Sequence, residues 1–360
     1  MGRKALRMGE RLLWVGTYTR DSEPTGTGVG VYLAWMDTES GRLGGGGAAV
    51  EAAGPSFLAM HPDGGKVYAV SERMEGALSW FAAGEGWASV TLGETPTGGA
   101  APCHVLVHPA GKHVIAANYF SGSVSVHPIE GDSAPGPAIA LLEGEGSGPV
   151  PGRQEGPRAH CTAVAPDGRH LLIADLGADV LRVHPFNADA PEPVGGALEP
   201  VRMEPGSGPR HMAVHPAGFV YVSGELDARV HVLQWDQDKA SAWSLGAYEA
   251  SQYDGEVEAV YPSEIALSPS GDRLYVANRG ADTVTTFAVE EGGASLRFMA
   301  EYPTGGKWPR HFAVTSGHVV VANQLSGTVT SMPIDEEGVA GEAVARLSIP
   351  DPACVLPVGE

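Results

Sequence analysis

The feature that most constrains this chain is a unit that recurs six times along it. Its fullest copy is Gly208 to Trp235, GPRHMAVHPAGFVYVSGELDARVHVLQW. Met212–Val214 and Phe219–Ser223 are apolar runs joined by the turn residues His215-Pro216-Ala217-Gly218. Val230–Trp235 then alternates apolar with polar, as a half-buried strand does. The other copies open on Pro55-Ser56-Phe57, Pro102-Cys103-His104, Pro157-Arg158-Ala159-His160, Pro262-Ser263-Glu264 and Pro309-Arg310-His311. Each passes through a turn to a second apolar run. The turn glycines Gly64, Gly111, Gly168, Gly218, Gly271 and Gly317 lie 47, 57, 50, 53 and 46 residues apart. That spacing is the repeat length of a four-stranded propeller blade.

A seventh unit is split between the two ends of the sequence. Leu12–Thr19 and Gly30–Trp35 read as second and third strands, and their innermost partner is expected from Ala353-Cys354-Val355-Leu356, after Pro352. Such closure removes the open sheet edges that invite aggregation. An open solenoid of the same unit would need polar caps, and these ends are apolar. With 50 glycines, 28 prolines and no sustained helical periodicity, the reading is an all-β, seven-bladed β-propeller closed by a C-terminal strand. Residues 1–360 form a single domain, and 1–10 are expected to be a flexible tail. The variation in repeat length falls in loops such as 131–156 and 188–208.

Charge narrows the function. A net −20 excludes nucleic acid and anionic membrane as partners, since both need a positive surface. Cys103, Cys161 and Cys354 are too few and too scattered for a disulfide framework or a zinc site. The opening MGRKALRMGERLLWVG has too short an apolar run for a signal peptide or membrane span. A cytoplasmic protein, monomeric or weakly dimeric, is expected.

A chain that descends one strand and ascends the next returns to its starting face. Residues just before a first strand or just after a second one therefore share one mouth of the ring. They are Tyr18, Glu72, His104, Tyr119, His160, Arg210, His211, Glu225, Glu264, Asn278, Arg279, Trp308, Arg310 and His311. Several neighbours have plainer roles. Arg158 suits hydrogen bonding to carbonyls of the next blade. His61, His108 and His215 belong to the turn, His127 and His184 to strand ends, and the repeated Ala-Asn to strand capping. Arg210, Glu225 and Arg279 interrupt an otherwise uniform repeat, and His160 and His211 lie beside them.

Arginine forks grip carboxylate or phosphate bidentately, so an anionic small-molecule substrate is expected at this mouth. His160 and Glu225 are the candidate acid–base groups. Nearby arginines should hold Glu225 ionised, while desolvation pulls the other way. Gly-x-Ser-x-Gly, P-loop, dinucleotide and His-Glu-x-x-His motifs are absent from the sequence. Asp236-Gln237-Asp238 lacks the glycine and distal glutamate of a calcium loop.

The segments GPRHMAVHP…VSGELD, PSEIALSPSGDRLYVANRG and WPRHFAV resemble the seven-bladed propeller lactonase family, which includes the bacterial propeller type of 6-phosphogluconolactonase and the fungal carboxymuconate cyclase. The likeness runs from about Leu12 to ACVLP. It implies an active site in the channel mouth with no metal or organic cofactor, and matches the family's cleft residues at His160, Arg210, Glu225 and Arg279. The chain departs from the family at Gly54, where Asn often stands, and at the clipped turn Thr315-Ser316-Gly317. The long 20–28 and 144–156 loops are placed to reshape the mouth. The expected activity is opening of an anionic sugar lactone, with Arg210 and Arg279 clamping the anion and Glu225 and His160 sharing the proton transfers. His104, His211, Glu264, Trp308, Arg310, His311, Tyr18 and Tyr119 are expected to bind substrate. The alternatives are a muconate-type cyclase (an isomerase) and a non-catalytic propeller that binds a protein.

Overall fold

A computed structural model describes residues 9–83 and 91–358. Seven antiparallel sheets form a ring of blades. Blade 1 combines Glu10–Thr17, Gly30–Asp37 and Leu43–Glu51 with Pro352–Val358. Blades 2 to 7 follow in order through 58–96, 102–142, 159–202, 209–249, 261–303 and 309–348. In blade 3 the outermost position is shared by two short strands, Ala134–Pro135 and Ala140–Leu142, both paired to Ser123–Glu130.

The strands read as near-continuous apolar runs because both faces of each blade are covered. Successive side chains on a strand point opposite ways. Leu12 and Trp14 pack toward blade 2, whereas Leu13 and Val15 pack toward blade 7. A hydrophobic cluster occupies each junction between consecutive blades. The junction of blade 7 with blade 1 is no exception, where Val320, Ala322 and Val329 meet Leu13, Val15 and Val355. An open solenoid would leave that pair of faces wet, so the ring is closed.

Closure uses the expected C-terminal segment. Pro352–Val358 lies antiparallel to Glu10–Thr17, with Trp14 opposite Leu356 and Gly16 opposite Cys354. Ala353, Cys354 and Val355 are buried, and burying one valine side chain is worth about 1.5–3 kcal/mol. A chain ending at Asp351 would expose both this apolar face and an unpaired edge. We expect it to lose its single cooperative unfolding transition in calorimetry and to scatter light as aggregate.

Two expectations need adjusting. The expected tail runs to residue 10, but Glu10 already pairs with Asp37 in the first strand; residues 1–8 lie outside the described residues. The recurring turn holds its glycine in the left-handed region at Gly64, Gly111, Gly168, Gly218 and Gly271, which a Cβ would resist. The clipped turn drops this device and uses a side chain: Thr315 Oγ1 accepts from the amide of His318 and donates back to its carbonyl.

Candidate active site

In blades 3 to 7 the inner strand enters the ring through an irregularity. Register shifts fall between Pro102 and His104, Ala159 and Cys161, Pro209 and Met212, Pro262 and Ile265, and Pro309 and His311. A regular strand would send consecutive side chains into opposite blade junctions. A bulge re-aims them, and here it turns both toward the axis at different heights. Cys103, His160 and Arg310 line a cavity at one mouth of the channel. Their successors His104 and Cys161, with His211 and Glu264, line a funnel opening at the other end. Between the two, Phe57 packs against the rings of His104, His211 and His311 at 4.5, 5.8 and 5.2 Å. The hub is therefore plugged, and the mouth is a blind pocket.

This layering corrects the expected roster. His104, His211, Glu264 and His311 do not line the mouth cavity; they form the layer beneath it. His211 Nδ1 and His311 Nε2 lie 2.9 and 3.3 Å from Glu264 Oε2. His104 Nε2 faces Cys161 Sγ at 3.5 Å. Burial lowers the basicity of all three imidazoles, His104 to about 3 and His311 to about 4. They seal the hub as neutral rings.

The mouth cavity encloses about 290 Å³ and is lined by Glu72, Cys103, Tyr119, Arg153, His160, Glu225, Arg279 and Arg310, with Glu23 and Pro24 at its lip. Its centrepiece is the Glu225 carboxylate, held by three guanidiniums. Arg279 Nη2 donates to Oε2 at 2.6 Å, Arg210 Nε lies 3.0 Å from the same oxygen, and Arg153 Nη2 donates to Oε1. Burial alone would raise the affinity of Glu225 for a proton. The charges of Arg279, Arg210 and Arg153 outweigh it and hold the group well below the usual carboxylate range. Of the two opposing effects expected on this residue, the arginines win.

The arginines divide into two kinds. Arg210 is 2% exposed and does not reach the cavity wall; burial and Arg279 lower it to about 10, still cationic. It backs Glu225 from below and cannot close on a substrate as a clamp would. Arg279 reaches the cavity, with its Nε on the Tyr261 carbonyl and Trp308 stacked 5.5 Å from its guanidinium. Trp308, expected to touch substrate, buttresses Arg279 instead. Arg310 also faces the cavity and has no hydrogen-bond partner among the described residues. It rests on the ring of Tyr18 at 5.0 Å. Tyr18 is fully buried and supports Arg310 without lining the cavity.

His160 sits on the cavity floor with its ring against Tyr119 (5.5 Å) and His211 (5.2 Å). Its Nδ1 has no partner. Burial, then Arg210, His211, Arg310 and Arg279, push its pKa well below the ordinary value, so the ring is neutral. The plainer readings of other residues fit their contacts. Arg158 Nη1 donates to the Phe120 carbonyl of the neighbouring blade, and Asn278 Nδ2 to the Ala250 carbonyl. His108 and His215 accept amides inside their own turns.

Sequence reasoning missed Arg153. It lies in the 144–156 loop, outside any repeat, and is positioned by its neighbour. Gln154 is 1% exposed, donates to the Leu176 carbonyl and to Asp179 Oδ1, and pins the loop over the mouth. The 20–28 loop is fixed likewise, through Thr27 to Asp351 and the Glu23 amide to the Glu72 carbonyl. Among the described residues no set of His, Cys, Asp and Glu side chains is arranged to hold a metal ion.

Residues 12–357 match the family described as lactonase, 7-bladed beta-propeller. A 6-phosphogluconolactonase of Bacillus subtilis (strain 168) is 29% identical over 348 residues, which cover 95% of this chain and 97% of that one. A Bacteroides fragilis structure superposes with a TM-score of 0.87 at 30% identity, covering 98% of both chains. A periplasmic gluconolactonase structure from Pseudomonas aeruginosa gives 0.88 at 27%, covering 97% of this chain and 99% of that one. Fold, pocket and likeness agree over nearly the whole sequence: the chain belongs to the seven-bladed β-propeller lactonase family and is a lactonase.

Proposed function

We propose that the mouth cavity opens a sugar lactone that carries an anionic group, of the 6-phosphogluconolactone type. The observation that carries this reading is Arg310, a cavity-facing cation whose donors are uncommitted beside a cluster already saturated by Glu225. A guanidinium without a hydrogen-bonded protein partner in a blind pocket suits a phosphate or carboxylate. Arg279 and Arg153 stand ready to stabilise the oxyanion that develops when water adds to the lactone carbonyl. His160, neutral and on the cavity wall, orients the attacking water. Glu225 is too weak a base to take a proton and serves to hold the arginines in place.

The test is product analysis by NMR on a phosphorylated lactone, an uncharged lactone and an unsaturated diacid. Lactone opening with a preference for the phosphorylated compound is expected. The Arg310→Ala variant should raise KM for that compound by about 10–100-fold, a loss of ~1.4–2.7 kcal/mol, and change the uncharged one far less. Cyclisation of the diacid without lactone opening would establish the muconate-type alternative, and no turnover of any compound would favour a binding module.

The same reading places the chain in the cytoplasm as a monomer or weak homodimer. Support for a reducing compartment comes from three buried free cysteines among the described residues. Cell fractionation and sedimentation would test it.

A further inference from the structure

We propose that Glu72 is the proton-transferring group of this pocket, taking a proton from the attacking water and returning it to the ring oxygen as the lactone opens. This rests on the lactonase reading and adds a catalytic residue to it. Glu72 directly follows the second strand of blade 2, Lys66–Ser71, and lines the cavity, with only 4% of its surface exposed. It faces His160, Cys103 and Arg310 across the same space. Its Oε2 accepts a hydrogen bond from Ser56 Oγ, in the segment that leads into the inner strand of its own blade. That bond fixes one carboxyl oxygen. The strand-end position and the Glu23 amide on its carbonyl hold the backbone as well.

The chemistry follows by elimination among the groups that share the pocket. Glu225 is locked ionised by three arginines, and His160 is held neutral and weakly basic. The Cys103 thiol is pushed up by burial, so it stays protonated. Tyr119 remains a phenol for the same reason. Glu72 differs: burial raises it to about 7, with Arg310, Ser56, Tyr18 and Arg210 restraining the rise. A carboxyl group poised near neutrality is present in both forms and suits general acid–base work.

The step balances on this one group. The ionised carboxylate accepts a proton as the water oxygen bonds to the carbonyl carbon. The tetrahedral oxyanion then collapses, the bond from that carbon to the ring oxygen breaks, and the departing alkoxide takes the proton back. The new carboxylic acid releases its own proton to solvent, leaving Glu72 ionised for the next turnover.

The experiment is the pH profile of kcat/KM for lactone opening by wild type, Glu72→Gln and Ser56→Ala. Wild type should show a rising limb centred near neutrality. The isosteric Glu72→Gln should fold, lose about 10²–10⁴-fold in kcat and lose that limb. Ser56→Ala removes a donor to the ionised form, so its limb should move to higher pH with a smaller loss in rate. An unchanged limb in Glu72→Gln would overturn the proposal. If wild type opens no lactone, the functional reading fails on its own. Glu72 is then judged by ¹³C-carboxyl difference titration of wild type against Glu72→Gln, where an ordinary acidic midpoint overturns the proposal and a near-neutral one upholds the poised carboxyl.

Discussion

Arg279→Ala should lose at least about 10³-fold in turnover while keeping its fold. Losing one donor to a developing oxyanion costs about 10²–10³ in kcat in comparable pockets. Here the loss is compounded, because Arg279 also fixes one oxygen of Glu225 at 2.6 Å, and the carboxylate would then swing toward Arg153 and Arg210. Folding should survive. The carbonyls of Tyr261 and Pro262 that Arg279 now satisfies would face a water-filled space where the guanidinium stood. Stopped-assay NMR for turnover and circular dichroism with a thermal melt for the fold check the two halves separately. Full activity in a folded variant would remove Arg279 from the mechanism.

Glu225→Gln should be the most destabilising single change in the site. The amide keeps the shape of the carboxylate but leaves Arg153, Arg210 and Arg279 facing one another without an anion. Breaking a buried ion network at one partner costs about 3–5 kcal/mol. The pH dependence carries a sign that can be checked. Glu225 has a lowered folded-state pKa, so its contribution is fully present above the unfolded value of about 4.3 and is lost as pH falls toward the folded one. Urea unfolding of wild type and variant should differ most near neutrality. At about pH 3.3, a unit below the unfolded value, the gap should narrow by ~1.4 kcal/mol. A gap that stayed constant would mean that Glu225 is not ionised in the folded protein.

The ring and its closure were readable because they rest on periodicity. Turn glycines, paired apolar runs and a terminal strand with no local partner all leave marks in one dimension. The meeting of Arg210, Glu225 and Arg279 was readable too, since a hairpin must return its ends to one face. The separation of Arg210 from His211 was not. Adjacent residues on a strand are expected on opposite faces, and only the bulge after Pro209 sets one beneath Glu225 and the other in the plug. The same blind spot misplaced His104, Glu264 and His311. Arg153 lay outside every repeat, and its place depends on the Gln154–Asp179 anchor, which joins two loops distant in sequence. Glu72 was visible as a mouth residue, but its poise comes from burial, a quantity no sequence position carries.

The paired inward residues give the blades a modular economy. In blades 3, 4 and 7 one position of the pair colours the pocket and the next belongs to the stopper, so Cys103 could be exchanged for a larger or more polar wall without loosening Phe57 from its imidazoles. New specificities could thus be written one spoke at a time, on a wheel whose axle stays plugged.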